Sequence, residues 1–244
     1  DDISGFASVQ RIDRHENYGL ADSIIDGVSV VADRHGKVIV LEDDIVTSPY
    51  FLRYMNDALD RYEHAERVMH IAAYMMPLDL AAKAVPESFF LRHSSCWGWA
   101  TWGRAWRQFH RNAETFIKTF TPGDIQRFNL DGAYDYWSQL IANHEGRLKT
   151  WAIYWYASIF SMGGLCLHPR SSLVKNIGFD GSGVNCGIDP VWHTGLGSVP
   201  VSQFPAAYCE DEVAMAAIKR TLQGNPRRSL VAELLRSIRT YVAK

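Results

Sequence analysis

Apolar and polar positions follow two periodicities near the start of the chain, that of a strand and that of a helix. Residues 6–12 alternate strictly, which predicts a short strand. Residues 20–31 carry apolar side chains at helical spacing, and Gly36 ends that helix. Residues 38–41 are wholly apolar and include three β-branched side chains, which predicts a buried central strand. Strand, helix and strand in this order indicate a βαβ unit and therefore a parallel sheet.

Helix-like and strand-like patterns of apolar residues continue along the rest of the chain. Apolar side chains at helical spacing predict helices over 50–64, 115–126 (with a Pro-Gly turn), a stretch ending near Gly146, and 151–160. Apolar runs predict strands over 68–74, 88–92 and 165–169, a Gly-rich loop follows over 172–187, and acidic residues 210–212 begin a further helix. Residues 227–244 predict a basic amphipathic helix.

Three acidic residues, Glu42, Asp43 and Asp44, follow the strand predicted over 38–41. Ligands of open α/β sheets bind beyond the carboxyl ends of the strands. Adjacent carboxylates repel one another unless a cation lies between them, and oxygen ligands suit Mg²⁺ or Mn²⁺. The functional interpretation is a divalent-metal site that holds a diphosphate. The structural alternative is that Asp43 or Asp44 caps a helix beginning near Ser48.

Two further stretches have candidate chemistry. Tryptophans 97, 99, 102 and 106 alternate with small residues, which favours flat walls for sugar rings or, equally, a core strand that enters a helix continuing to Phe109. Asn17 and Gly19 form a turn before the first helix, on the sheet edge where we expect the acids. An ordinary strand-to-helix turn explains this pair equally well.

Composition narrows the class of protein. The length of 244 residues fits one large domain, and the net charge of -2 gives no argument for a nucleic-acid partner. The four cysteines are far apart without a CxxC pair, which indicates free thiols in a reducing compartment. No segment is long and apolar enough to span a bilayer. We therefore expect a cytoplasmic protein whose C-terminal helix contacts the inner face of a membrane, its own domain or the second subunit of a homodimer.

The order of these features resembles the GT-A glycosyltransferases, over roughly residues 9–187. The likeness is greatest to bacterial sugar transferases of the glycosyltransferase-2-like group, and extends to the N-acetylglucosaminyltransferase I type. It implies an α/β fold over residues 1–225, Rossmann-like, with a mostly parallel sheet flanked by helices. It also implies that the first strand–helix unit lies upstream of this chain, and that residues 226–244 form a separate C-terminal helix.

The resemblance also implies roles for individual residues. Asp44 would bind Mn²⁺ or Mg²⁺ bridging the diphosphate of a nucleotide sugar, with Glu42 and Asp43 facing the ribose or the sugar. The other implied donor-site residues are Asn17, Gly19, Trp99 and Trp102, and the implied acceptor-site residues are Trp97, Trp155 and Asp180. The implied partners are a nucleotide-sugar donor and a glycan or lipid-linked acceptor.

The chain departs from the family at two positions. A general-base carboxylate usually stands at the start of the helix predicted over 151–160, where this chain has Ala152 and Ile153. Asp135 is the preferred substitute, followed by Asp131 and then Asp180. Related metal sites often take a late-loop histidine, whereas this loop has Asn176, Asp180 and Asn185, with His168 and His193 outside it.

Two other functions are open at this point. A sugar-nucleotide nucleotidyltransferase shares the sheet and the metal requirement, although its Gly-rich phosphate-binding stretch is not visible here. A non-catalytic glycan-binding or assembly protein agrees with the missing base and the missing first strand.

Overall fold

A five-stranded mixed sheet forms the centre of the computed structural model, which describes residues 4–78, 85–178 and 194–223. The strands are β1 (Lys37–Val40), β2 (Ile45–Thr47), β3 (Val68–Ala72), β4 (Ser88–Leu91), β5 (Trp99–Trp102), β6 (Leu165–Pro169) and β7 (Val174–Asn176). The main sheet has the order β1-β5-β3-β6-β4, and β2 pairs with β7 in a separate two-stranded sheet.

Helices surround this sheet. They are α1 (Gly19–His35), α2 (Phe51–Arg61), α3 (Gly103–Trp106), α4 (Ala113–Thr119), α5 (Pro122–Phe128), α6 (Tyr136–His144), α7 (Ala152–Ser161) and α8 (Glu212–Gln223). Gly36 ends α1 at φ 77°, a conformation that favours glycine. A reciprocal capping box between Thr121 and Asp124 begins α5, so the predicted Pro-Gly turn is the first turn of a helix.

Strand directions place three carboxyl ends at one edge of the sheet. β5 runs antiparallel to both β1 and β3, so β1 and β3 point the same way. β6 is parallel to β3, and β4 is antiparallel to β6. The carboxyl ends of β1, β3 and β6 therefore lie together at one end of the strands, where β5 begins. We call this the carboxyl edge.

The mixed α/β class is confirmed, but three expectations about the sheet are wrong. The sheet is mostly antiparallel, because β5 is inserted between two strands of the opposite direction. β1 is an edge strand that pairs only with β5 among the described residues, and is not central. Residues 6–12 form no strand, and the side chains of Phe6, Val9 and Ile12 are more than half exposed, since no described strand pairs with them.

The core lies on both faces of the sheet and extends into the helices. On one side α2, α8 and the strands enclose a cluster that includes Phe51, Met55 and Ile71. A second cluster, under α1, α3 and α7, is built around Trp99, Trp106 and Trp155. A third joins α4, α5, α6 and α7. The helices predicted over 20–31, 50–64 and 151–160 are confirmed as α1, α2 and α7, with small shifts at their ends.

His70 and His168 are buried in this core, which favours their uncharged form. Trp155 Nε1 donates to His70 Nδ1 (3.1 Å), and His70 Nε2 donates to the Ser95 carbonyl (2.9 Å). His168 Nε2 donates to the His93 carbonyl (2.7 Å). Burial lowers the pKa of His70 to about 3 and that of His168 to about 4.

We expect the free energy of unfolding to fall in mild acid. Because an unfolded histidine has a pKa of about 6.5, the unfolded chain takes up protons below that pH that folded His70 and His168 do not. The histidine contribution is therefore complete above about pH 6.5 and decreases towards pH 4, by about 1.4 kcal/mol per pH unit for each histidine. Burial also lowers the pKa of His93, which adds to this slope, whereas Glu42, whose pKa is raised to about 7, contributes a slope of opposite sign between about pH 4.5 and 7. Urea unfolding at pH 7, 6 and 5 measures the slope. The exposed His35 serves as the control: His35→Gln keeps the slope, His168→Gln reduces it, and a flat profile contradicts the assignment.

Some expectations fall outside the described residues. These are the acceptor residue Asp180, the late-loop residues Asn185 and His193, and the C-terminal helix over 226–244. Within the described ranges, no helix has the length and apolar character needed to cross a membrane. Cys96, Cys166 and Cys209 are free thiols, as expected.

Candidate functional site

The acidic residues form a tight turn at the carboxyl edge. The Ile45 amide donates to the Glu42 carbonyl (3.2 Å), so the chain reverses from β1 directly into β2. We call Glu42, Asp43 and Asp44 the acid turn. The helix-capping alternative is wrong, because α2 begins at Phe51 and its Tyr50 N-cap makes no side-chain cap bond.

Among the described residues, no Lys, Arg or His side chain forms an ion pair with the carboxylates of the acid turn. Desolvation, and then the charges of Asp44 and Asp43, raise the pKa of Glu42 to about 7. Asp44 Oδ1 is buried and has no hydrogen-bond partner in the described part of the chain. A buried acceptor without a donor is costly, so this oxygen is suited to a cation or another electropositive ligand.

The small β2–β7 sheet contacts Asp44 and fixes its backbone. Ile45 lies opposite Asn176, and the Ile177 amide donates to the Asp44 carbonyl (2.9 Å). The buried Asn176 accepts from the Gly178 amide through Oδ1 (2.7 Å). A Cβ on Gly178 would lie 2.6 Å from Asp44 Oδ2, so only glycine leaves room for this carboxylate. The sequence pattern does not reveal this support, since β2 and β7 have only three residues each.

Trp97 lies just before β5, at the carboxyl edge, and its acceptor role stays a prediction. Val40 pairs with Trp99, so the next residues of each strand, Leu41 and Gly98, approach at the carboxyl edge. A Cβ on Gly98 would lie 3.4 Å from Leu41 Cδ2 and 2.8 Å from Val174 Cγ1. This close approach, with φ at 62°, requires glycine at position 98, next to the part-buried Trp97.

Three other predicted sugar walls are core side chains. Trp99, Trp102 and Trp155 are exposed by 0%, 2% and 1%. Trp99 stacks on Trp151, Trp102 donates to the Leu59 carbonyl, and Trp155 donates to His70. Rings enclosed in this way have no free face for a sugar. For these tryptophans the core interpretation is therefore correct, and the sugar-wall interpretation is wrong.

The Asn17 turn begins α1, and Asn17 Oδ1 accepts from the Gly19 amide (2.8 Å). Only Gly36 separates α1 from β1. The position of the Asn17 turn beside the acids stays a prediction.

The two candidate bases have structural partners. Asp135 caps α6, accepting from the Ser138 amide (3.0 Å) and the Ser138 hydroxyl (2.6 Å). Asp131 pairs with Arg92 and Lys219, each at 2.8 Å, and its pKa is lowered because these partners outweigh desolvation. Neither contact brings a carboxylate to the acid turn.

No group of three His, Cys, Asp or Glu side chains that could hold a metal ion occurs among the described residues, and this includes the acid turn, so the protein alone does not supply a full set of ligands there. A shallow cleft of about 670 Å³ lies between residues 76–78, 170–172 and 194–199. Its lining includes Arg170 but no carboxylate, so it lacks the chemistry of the acid turn.

Comparison of the sequence with models of known protein families gives no match, and comparison with curated proteins gives none either. The function is therefore inferred from the geometry of the acid turn and its surroundings.

Proposed function

We propose that the protein is a metal-dependent glycosyltransferase of the GT-A type, which moves a sugar from a nucleotide-diphosphate sugar to a glycan or other hydroxyl acceptor. The observation that carries the proposal is the acid turn, where Asp44 Oδ1 is buried without a partner beside a Glu42 whose pKa is raised to about 7. A divalent cation would neutralise the charge of these carboxylates and would give Asp44 Oδ1 a partner.

The donor set suits Mn²⁺ or Mg²⁺ held by one protein carboxylate and by the diphosphate. Such ions are commonly bound through one or two carboxylates together with substrate phosphates. Asp44 would hold the ion, and the Asn176–Gly178 backbone would keep its carboxylate in place. The metal would supply positive charge to the departing nucleoside diphosphate.

The GT-A fold is the finer part of this proposal. It is supported by an α/β sheet in which the carboxyl ends of β1, β3 and β6 meet at the edge that carries the acids. It is supported further by the tryptophan-rich strand β5, which begins beside the acid turn. Ligands of α/β sheets bind at such an edge.

The transfer also needs a group that accepts the proton of the attacking hydroxyl. Asp135 stays the preferred candidate because it is exposed, although it caps α6. Asp131 is the weaker candidate, since Arg92 and Lys219 lower its pKa and so reduce its basicity.

Calorimetric titration of UDP, GDP, CDP and dTDP, each with and without Mn²⁺, tests the proposal directly. We expect one diphosphate to bind only when the metal is present. Absence of binding by all four contradicts the proposal. Release of pyrophosphate from a nucleoside triphosphate and a sugar phosphate would instead identify a nucleotidyltransferase.

Gly178→Ala provides a test that leaves every charge in place. The added Cβ would meet Asp44 Oδ2 at 2.6 Å and displace the carboxylate. Overpacking of this kind costs about 1–3 kcal/mol, so we expect Mn²⁺-dependent diphosphate binding to weaken by about tenfold to a hundredfold. Gly195→Ala is the matched control, because its Cβ would meet nothing within 4 Å. Equal affinities of the two variants would separate Asp44 from the metal site.

A further inference from the structure

The cleft of about 670 Å³ lies beyond the ends of the one parallel pair of strands found among the described residues. β3 and β6 are neighbours in the sheet and run in the same direction. Residues 76–78 follow β3 and residues 170–172 follow β6, and both segments line the cleft together with residues 194–199. We call it the strand-end cleft.

The chain leaves these two strands in opposite directions along the sheet. From β3 it continues to β4, which lies on the far side of β6 in the sheet order. From β6 it continues to β7, which pairs with β2 directly after the acid turn. The crevice between diverging connections at the carboxyl ends of the strands is where open α/β sheets bind their ligands.

Hydrogen bonds fix the base of the strand-end cleft. The Gly197 amide donates to the Ser172 carbonyl (2.7 Å), and the hydroxyl of the buried Ser48 donates to the Gly197 carbonyl (2.8 Å). A Cβ on Gly197 would lie 3.1 Å from the Ser172 carbonyl oxygen, so the close approach of these two segments suits glycine. Binding of a ligand therefore does not have to order these segments first.

Arg170 gives the strand-end cleft a positive charge. Its Nη1 donates to the Val85 carbonyl (2.9 Å), which anchors one edge of the guanidinium. The guanidinium forms no ion pair with a described residue. Glu87 lies nearby, because its carbonyl accepts from the Arg170 amide (2.8 Å). The Glu87 carboxylate accepts instead from the Ser202 and Gln203 amides (2.8 and 3.0 Å). The remaining donors of Arg170 therefore suit an oxyanion of a ligand.

The rest of the lining combines apolar and hydroxyl side chains. Leu196 and Val199 are 38% and 69% exposed, and the lining residues Ser171 and Ser198 are exposed as well. Binding sites for small molecules commonly join an apolar surface to a few polar groups that fix the orientation of the ligand. A sugar ring has both an apolar face and hydroxyls, and a carboxylate or phosphate on it would meet the charge of Arg170.

The strand-end cleft and the acid turn lie at the same end of the strands. Ser172 lines the cleft, and Gly178 is in contact range of Asp44. These two residues are six positions apart, so their Cα atoms are separated by at most about 22 Å. An upper limit of this size is of the order of the length of a short oligosaccharide.

We propose that the strand-end cleft binds an acidic saccharide, whose carboxylate or phosphate pairs with Arg170 while its ring contacts Leu196 and Val199. The negative charge of the ligand follows from Arg170 alone. The identity of the ligand as a saccharide, and as the acceptor, rests on the proposed transferase function. Binding itself requires neither metal nor nucleotide.

The test is calorimetric titration of the protein, without metal or nucleotide, with tetragalacturonate, tetramannuronate and glucose 6-phosphate. Maltotetraose serves as the neutral saccharide, and octyl phosphate as the anion without a sugar. We expect at least one acidic saccharide to bind, and maltotetraose and octyl phosphate to bind at least about tenfold more weakly.

Two variants change the cleft in different ways. Arg170→Gln removes the charge and weakens the binding at least about tenfold, whereas Arg170→Lys keeps the charge and recovers part of the loss. Gly195→Leu adds a side chain to the lining at a position where a Cβ would meet nothing within 4 Å. It therefore obstructs the cleft without a clash in the fold, and we expect a loss of at least about tenfold. Lys149→Gln removes an exposed positive charge outside the lining and leaves the affinity unchanged.

Circular dichroism confirms that each variant is folded before its affinity is compared. The proposal is overturned if no acidic saccharide binds, if maltotetraose or octyl phosphate binds as tightly, or if either Arg170→Gln or Gly195→Leu keeps the wild-type affinity. The transferase function fails separately. Binding of an acidic saccharide without any metal-dependent diphosphate binding refutes the transferase and keeps the cleft as a binding site, whereas the reverse result keeps the transferase and refutes the cleft.

Discussion

Asp44→Asn abolishes Mn²⁺-dependent diphosphate binding and sugar transfer, with an expected loss of at least about a hundredfold in affinity. The substitution keeps the shape of the side chain and removes the charge that the metal needs. Asp44 Oδ1 has no hydrogen-bond partner among the described residues, so the fold loses no contact at that atom. We expect the free energy of unfolding to stay the same or to rise, because a half-buried negative charge near two others is removed.

The same variant has a second readout at Glu42. The negative charge of Asp44 contributes to the raised pKa of Glu42, after desolvation. Asp44→Asn should therefore lower the pKa of Glu42 from about 7, which NMR titration of the side-chain carboxyl measures. Asp33→Asn, at an exposed position on α1, is the control for the change of net charge alone. Metal-dependent transfer at the wild-type level by Asp44→Asn contradicts the metal assignment.

Arg92→Leu is expected to produce the largest loss of stability. Arg92 is 8% exposed and joins three parts of the fold. Its guanidinium donates to Asp131 (2.8 Å), to Glu210 before α8 (2.5 Å) and to the Arg127 carbonyl (2.9 Å). Removing it leaves two carboxylates and a carbonyl short of a donor.

Breaking a buried ion pair costs about 3–5 kcal/mol. Asp131 keeps Lys219 and both carboxylates are partly exposed, so we expect a loss of about 3 kcal/mol in the free energy of unfolding, measured with urea. Arg53→Leu is the matched control, since Arg53 forms an exposed pair with Asp57 (3.7 Å) and its loss should cost less than about 0.5 kcal/mol. A difference below about 1 kcal/mol between the two variants would show that the Arg92 network contributes little.

Local pattern was enough to predict several elements of this fold. The helical spacing before Gly36 specifies α1, and the apolar run over 38–41 specifies β1, because in both cases the signal lies within the segment itself. The position of the acids directly after β1 followed from the same run. The Glu210–Glu212 helix start is confirmed in α8, where Asp211 accepts from the Ala214 amide (2.8 Å).

Pairing between distant segments was not predictable in the same way. The alternation over 6–12 has the period of a strand, but a strand also needs a neighbour, and none of the described residues provides one. β5 lies antiparallel between β1 and β3, an insertion that no local pattern encodes. Tryptophan spacing could not separate Trp97 from Trp99, because only the packing of α1, α3 and α7 decides which ring is enclosed.

The acid turn also affects how its own variants behave in solution. One side of β1 offers backbone N–H and C=O groups that no described strand occupies, and such an edge is a template for a strand from another molecule. Lys37 stands at one end of this edge and the three carboxylates at the other, and charges in these positions discourage association between copies. Variants that remove the acids therefore also remove charges that oppose aggregation through this strand. Their particle size should be measured before a loss of nucleotide binding is assigned to the metal site.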